Sequence, residues 1–393
     1  MNIPLPAADT DAALAATVPS AATSRPTIPS VARLSAVPNS VILQPTTLCN
    51  LDCRYCYLPF RKTNHLMSLP VAQSTATSVN RWAAARPGFE VVWHGGEPLA
   101  AGRDYLAALM NPFEGVTHSL QTNATLIDDA WCRFFQDHRM RVGVSIDGTE
   151  VMNAERVTRS GSPAFDRIMR GIGRLRHHRI PFSVIAVVTD PSPDVAQELY
   201  GFLADLGSDV AGINIEEQEG TNTRSSERDT ETVTAFWEAM ADAWRHDGRM
   251  RVRELDRVLS FADAVLAGER PDGAERLDPL PTVAYDGSVV LISPELAGFD
   301  DARFGTLATG NVLQVSLEVL LAEAANRTAW LPEFLAGVDD CRATCPYYAF
   351  CGGGHPANKY FEHGGRLDGT RTRYCTGSKI ALVEGVMRHA HAH

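Results

Sequence analysis

The sequence predicts an α/β fold: a partial (β/α)6 barrel of the TIM type, followed by a small, loop-rich C-terminal domain. Three observations point there. From residue 40 onward apolar runs alternate with helical stretches, at roughly 30 residues per unit, the size of a βα repeat, and such alternation implies a parallel sheet. The first strand runs into a loop with three cysteines, and sheets of this kind place chemistry at their C-terminal strand ends. Four of the five other cysteines gather at Cys341, Cys345, Cys351 and Cys375, in a segment whose texture calls for a metal staple rather than a hydrophobic core alone.

Taken in order, residues 1–38 are rich in Ala, Pro, Ser and Thr with little periodicity, and read as a disordered extension. Residues 39–220 hold the barrel. Strands are expected at 40–44, 89–93, 117–122, 141–146, 182–189 and 211–216. Helices are expected at 69–86, 103–110, 128–137, 165–178 and 194–206. Residues 221–280 read as a helical bridge, with apolar residues at helical spacing over 231–246 and 252–266 and Thr230 as candidate N-cap. The last unit, 281–388, opens with a hairpin signal at Asp286-Gly287. No repeat beyond the βα period is visible.

Composition narrows the function. A formal charge of −11 argues against a nucleic-acid or membrane-surface binder. No apolar run approaches the roughly 18 residues of a transmembrane helix. The N-terminus lacks a basic region followed by an apolar core. Eight cysteines without an export signal should be thiols or metal ligands in a reducing cytoplasm. Cys132, in Trp131-Cys132-Arg133-Phe134, reads as a buried helix residue. His389, His391 and His393 read as a frayed tail.

The richest stretch is Leu48-Cys49-Asn50-Leu51-Asp52-Cys53-Arg54-Tyr55-Cys56, spaced C-x3-C-x2-C. Three thiolates can hold three irons of a [4Fe–4S] cube and leave the fourth open to a chelating small molecule. Thiolates also suit zinc, but zinc would need a fourth ligand, and the nearest histidine is His65. Gly95-Gly96-Glu97-Pro98 follows the second strand. Its glycines allow close backbone approach, and Glu97 supplies a charge suited to a cationic amine; a turn with a solvated Glu is the plain alternative. Ser145 and Asp147 close the fourth strand, and Gln121-Thr122-Asn123 closes the third. Glu216, Glu217 and Glu219 close the sixth; alternation sends Glu217 and Glu219 to one side and Glu216 to the other. The cysteines of 341–375 make a closed four-thiolate site, for zinc or for a cluster.

C-x3-C-x-Tyr-C, with Tyr55 as the aromatic, resembles the signature of radical S-adenosylmethionine (SAM) enzymes. The resemblance implies that Cys49, Cys53 and Cys56 bind a [4Fe–4S] cluster and that Gly95, Gly96, Glu97 and Pro98 hold the SAM amino group. It implies that Ser145 meets the ribose, that Asn123 lines the pocket, and that Arg156 pairs with the SAM carboxylate, with Arg159 as fallback. Relatives often carry His-Asp where this chain has Asn153-Ala154. The C-terminal unit resembles the SPASM domain, which makes its four cysteines the ligands of an auxiliary [4Fe–4S] cluster. A full SPASM domain has a further cysteine group. None lies in Val289-Val290-Leu291-Ile292-Ser293-Pro294-Glu295-Leu296, so one auxiliary cluster is expected. That departs from sulfatase maturases, which usually keep the full set.

Ser293-Pro294-Glu295-Leu296, Asn214-x-Glu216-Glu217 and the 352–360 stretch around His355-Pro356-Ala357-Asn358 are similar to the cyclophane-forming maturases. The expectation is therefore an oxidoreductase that takes a β-hydrogen from a ribosomal precursor peptide and links that carbon to an aromatic ring, with Glu217 or Glu216 as base. An electron donor such as flavodoxin or ferredoxin is implied. Formylglycine formation, thioether formation, epimerisation and a non-catalytic zinc-stapled binding protein are the alternatives.

Overall fold

The computed structural model describes residues 33–224, 228–269 and 277–392. Five βα units and a sixth strand follow one another: β1 (Ser40–Leu43), α1 (Leu69–Ala85), β2 (Glu90–Trp93), α2 (Arg103–Met110), β3 (Thr117–Thr122), α3 (Asp129–Asp137), β4 (Arg141–Ser145), α4 (Phe165–His177), β5 (Phe182–Val188), α5 (Pro193–Asp205) and β6 (Val210–Ile215). Neighbouring strands pair in parallel, in chain order. The strand sequences explain the layering. In β1, β2 and β5 every second residue is buried, among them Val41, Leu43, Val91, Trp93, Val184 and Ala186. Each large apolar side chain so buried contributes roughly 1.5–3 kcal/mol. The intervening residues are half-buried, as on the inner face of a barrel that does not close.

The sheet is wider than the six expected strands. After α6 (Thr230–Asp247), the two-residue β7 (Arg251–Val252) adds to β6, and α7 (Arg253–Leu266) follows. At the opposite edge β8 (Thr282–Val283) pairs in parallel with β1, and β9 (Ser288–Val290) returns antiparallel to β8 through the expected Asp286-Gly287 turn. A small ribbon, β10 (Asp300–Asp301) with β11 (Gly305–Thr306), precedes β12 (Gly310–Asn311), which pairs antiparallel with β9. The result is a ten-stranded sheet in the order β12-β9-β8-β1-β2-β3-β4-β5-β6-β7.

The C-terminal region departs from the loop-rich expectation: it is largely helical, with α8 (Leu317–Ala322), α9 (Leu331–Thr344), α10 (Pro356–Glu362) and α11 (Ala381–Ala392). Leu331, Phe334, Leu335 and Val338 are all buried at helical spacing, a period that the cysteines and the Gly352-Gly353-Gly354 run obscure. α11 lies against α6. A Cβ on Gly385 would sit 2.5 Å from the Thr234 carbonyl and 2.7 Å from Trp237 Cβ, so only glycine permits this approach.

Other expectations shift locally. Residues 1–32 lie outside the described residues, but 33–38, placed in the disordered extension, are ordered. Arg33 is buried and pairs through two nitrogens, each at 2.9 Å, with Asp339, while Leu34 bridges to Leu277. The N-cap of α6 is Asp229, whose carboxylate accepts from the Thr232 N–H at 3.1 Å, one residue before Thr230. His389 belongs to α11 and is buried, which corrects the frayed-tail reading; His393 lies outside the described residues. Cys132 is fully buried on α3. No described helix is long and apolar enough to cross a membrane.

Candidate active site

The cysteine loop leaves β1 and is tied down along its length. The Cys49 N–H donates to the Arg61 carbonyl at 2.9 Å, and the Asp52 N–H to the Val157 carbonyl at 2.8 Å. Asp52 holds Arg61 at 2.9 Å and Lys62 at 2.7 Å. From the segment after β6 the Thr221 hydroxyl donates to the Cys56 carbonyl at 2.9 Å. The strand end at 95–96 supports the loop from below. Gly96 has φ +61°, and a Cβ there would meet the Leu48 and Thr46 carbonyls at 2.6 and 2.7 Å. Gly96 thus serves close packing against the loop, while Gly95 faces the Gln44 side chain. Burial pushes the Cys49 thiol up to about 12, with Glu97 adding to the rise. Burial takes Cys53 to about 11, against the pull of Arg156. Metal binding here would release protons.

Glu97 is buried beneath the loop. Its carboxylate accepts from the Leu99 N–H at 3.1 Å, the Thr122 hydroxyl at 2.7 Å and the Asn123 N–H at 2.8 Å, and burial raises it to about 7. Pro98 is buried at the start of the turn that Glu97 caps. The Asn123 side chain reaches the loop, with Nδ2 2.9 Å from Asn50 Oδ1 and 3.8 Å from Cys49 Sγ. Three strand ends thus converge on Cys49.

At the β4 end Gln121 Nε2 donates to Ser145 Oγ at 2.8 Å. Arg156 is not directed at an open carboxylate site. Its Nε and Nη2 pair with Asp147 at 2.9 and 2.8 Å, and its guanidinium lies 5.5 Å from the Tyr55 ring centre. Tyr55 in turn donates to Asp147 at 2.6 Å. The local reason is Asn153, whose Oδ1 accepts from the Asp147 N–H at 3.2 Å and turns the chain so that Arg156 folds back onto Asp147. Arg156 and Tyr55 therefore position the loop around Cys53, with Asp147 as their hub. Arg159, the fallback, donates to the Lys62 carbonyl at 3.2 Å on the outer side.

In the acidic stretch after β6 the simple alternation does not hold, since Glu216 and Glu217 line one cavity. Glu216, the other candidate base, is buried and ion-paired, with Arg228 at 3.2 Å and Arg224 at 3.4 Å. Glu217 accepts from Asn358 and is pushed up to about 8, chiefly by burial, with Glu295 adding. Glu219 and Glu295 rise as well, also by burial. Glu217 lines a cavity of about 440 Å³ between the β6 end and residues 371–378. Sequence reasoning missed Asn358 and Glu295 as its companions, though both lie in stretches that stood out.

The other four thiols surround a second, smaller cavity. Cys341, Cys345, Cys351 and Cys375 line it together with His355, Lys359, Thr372 and Lys379. Lys359 is buried, with Nζ 3.9 Å from Cys341 Sγ, a cation among thiols. Thr372 borders both cavities. Among the described residues no three His, Cys, Asp or Glu side chains converge as the ligands of one metal ion would; these thiols enclose a volume instead. Both donor sets are sulfur, and that chemistry fits an iron–sulfur group in each place.

Residues 43–216 match the model of the Radical SAM superfamily. Over 355 residues the chain is 32% identical to an uncharacterized protein of Synechocystis sp., sll1766, covering 86% of this chain and 88% of that one. Over 355 residues it is 27% identical to a serine-type anaerobic sulfatase-maturating enzyme of Bacteroides thetaiotaomicron, covering 83% and 84%. The solved structure of native anSMEcpe with bound AdoMet and Cp18Cys peptide superposes with a TM-score of 0.68 at 21% identity, covering 90% of this chain and 98% of that one. That likeness is one of fold.

Proposed function

The chain belongs to the radical SAM superfamily, and on that premise we propose that it matures a ribosomally made precursor peptide by joining a side-chain β-carbon to an aromatic ring. A [4Fe–4S] cluster and S-adenosylmethionine are the cofactors of the family. Cys49, Cys53 and Cys56 would hold the first cluster, and Cys341, Cys345, Cys351 and Cys375 the auxiliary one. When bound, these groups supply a carbon-centred radical that takes one hydrogen atom, and an acceptor for one electron.

The protein does the rest. Glu97 and Gly96 would meet the SAM amino group, with Ser145 and Asn123 beside them. Asp147 fixes Arg156 and Tyr55, and so the loop around Cys53. Glu217 would take the proton that the ring loses as it regains aromaticity. Its burial suits that task, because a carboxylate poised near neutrality is a stronger base than a solvated one. The observation that carries the reading is the cavity beside Glu217. It lies within the size range of ligand pockets and is separated from the four-thiol cavity by Thr372.

The test is anaerobic reconstitution with SAM and the precursor peptide encoded nearby. A product lighter by two hydrogen atoms, with an internal crosslink on fragmentation, is expected; unchanged mass with the correct peptide overturns the reading. Formylglycine formation is the second reading, favoured by the relative from Bacteroides thetaiotaomicron, which matches most of the chain. It also removes two hydrogens but leaves an aldehyde that a hydrazide captures. The cysteine-free 289–296 stretch favours the crosslink.

A further inference from the structure

The cavity beside Glu217 is cationic in an acidic chain. The protein carries a formal charge of −11, yet Arg224, Arg228, Arg371 and Arg373 all line this cavity, against Glu216, Glu217 and Glu362. Most of these charges are spent on one another. Glu216 takes Arg228 and Arg224, and Arg224 also meets Glu155. Glu362 accepts from the Tyr374 N–H at 3.1 Å and from Arg373 Nε at 3.5 Å, while Arg373 also donates to Gln218. Arg371 differs. Its Nε lies 3.4 Å from Thr376 Oγ1, and it has no carboxylate partner among the described residues.

A guanidinium without an acid, on the wall of a cavity that already holds a buried carboxyl, suits a planar anion. A carboxylate accepts two parallel bonds from it, which a lysine could not supply. Glu217, pushed towards its neutral form, does little to repel such a group.

We propose that this cavity receives an acidic stretch of the precursor peptide, with Arg371 binding an Asp or Glu carboxylate close to the residue being modified. Arg371 is on this account a specificity residue, and Arg373, held by Glu362 and Gln218, shapes the wall beside it. The inference rests on the peptide-maturase reading and names the class of peptide.

Binding is measured on the reconstituted enzyme with SAM, anaerobically, by fluorescence anisotropy. The probes are short rhodamine-labelled peptides of alternating Gly with Glu, Gln or Lys, amidated at the C-terminus, together with a Gln peptide whose C-terminus is free. The Glu peptide is expected to bind at least about tenfold more tightly than the Gln peptide, with the preference weakening as salt rises. Arg371→Gln should erase the preference, and Arg371→Glu should turn it towards the Lys peptide. Equal binding of the Glu and Gln peptides to the unaltered enzyme overturns the proposal without recourse to any variant, and so does a preference that survives Arg371→Gln. A Gln peptide that binds tightly only with a free C-terminus overturns the side-chain source of the carboxylate. No turnover is needed, so this result and the mass of the maturation product can fail independently.

Discussion

Cys49, Cys53 and Cys56 come from one loop between β1 and α1, whereas Cys341, Cys345, Cys351 and Cys375 come from the end of α9, the turns after it and a segment beyond α10. The first loop is braced by backbone as well as by side chains: carbonyls of Thr46 and Leu48 press on Gly96, N–H groups of 49 and 52 bond to 61 and 157, and Asp52 holds Arg61 and Lys62. The second site is braced by side chains, among them buried Lys359 beside Cys341. Three donors leave a group open to a second ligand; four close it. A contiguous loop presents a reactive corner at the strand ends. An assembled cage would suit a group that accepts an electron and is otherwise left alone.

The largest expected effect separates the two sites. Cys53→Ala should abolish reductive cleavage of SAM, read as 5′-deoxyadenosine by chromatography. Cys351→Ala should keep that cleavage and lose the crosslinked product. Equal loss of both in the two variants would erase the distinction.

The bracing predicts an intermediate effect. Gly96→Ala combines a left-handed backbone with a clash against two carbonyls, at about 3–4 kcal/mol of stability in urea unfolding. Gly354→Ala, with φ +82° but nothing nearer than Lys359 Cε at 3.8 Å, should cost about 1–2 kcal/mol.

The mildest effect concerns pH and Glu217. Glu217 must be ionised to accept a proton, so crosslinked product per deoxyadenosine should rise as pH climbs through about 8. Glu217→Gln should lack that rise while SAM cleavage continues. Stability runs the other way. The folded protein holds this proton more tightly than the unfolded chain, so Glu217 makes the fold less stable as pH rises from its ordinary value towards about 8, and the glutamine variant should be spared that loss.

The contrast between the sites also explains what the sequence could disclose. The βα alternation and the first loop are local patterns: an octapeptide spacing and a period of strand and helix are readable from neighbours along the chain. The family resemblance likewise rests on contiguous motifs. The partner that Arg156 has in this structure is set by the fold and not by its neighbours along the chain. Asn153 turns the chain, and Asp147, nine residues back in sequence, claims the guanidinium. Nothing local announces that Arg228 and Arg224 pair with Glu216. Asn358 reaches Glu217 from 141 positions away. The helices of 317–392 were overlooked for a different reason: α9 carries its apolar period in plain view, but cysteine spacing and glycine runs argue for loops.

The pairing of β1 with β8 has a consequence for biogenesis. Ile42 and Leu43 find Thr282 and Val283 only after most of the chain has left the ribosome. Until then one flank of the nascent sheet is unguarded, a row of bare amides and carbonyls able to recruit a stranger's strand. The three-cysteine loop springs from that same strand. Overproduction that outruns chaperones should therefore yield inclusion bodies, and slow, cool synthesis should recover protein able to take up its metal.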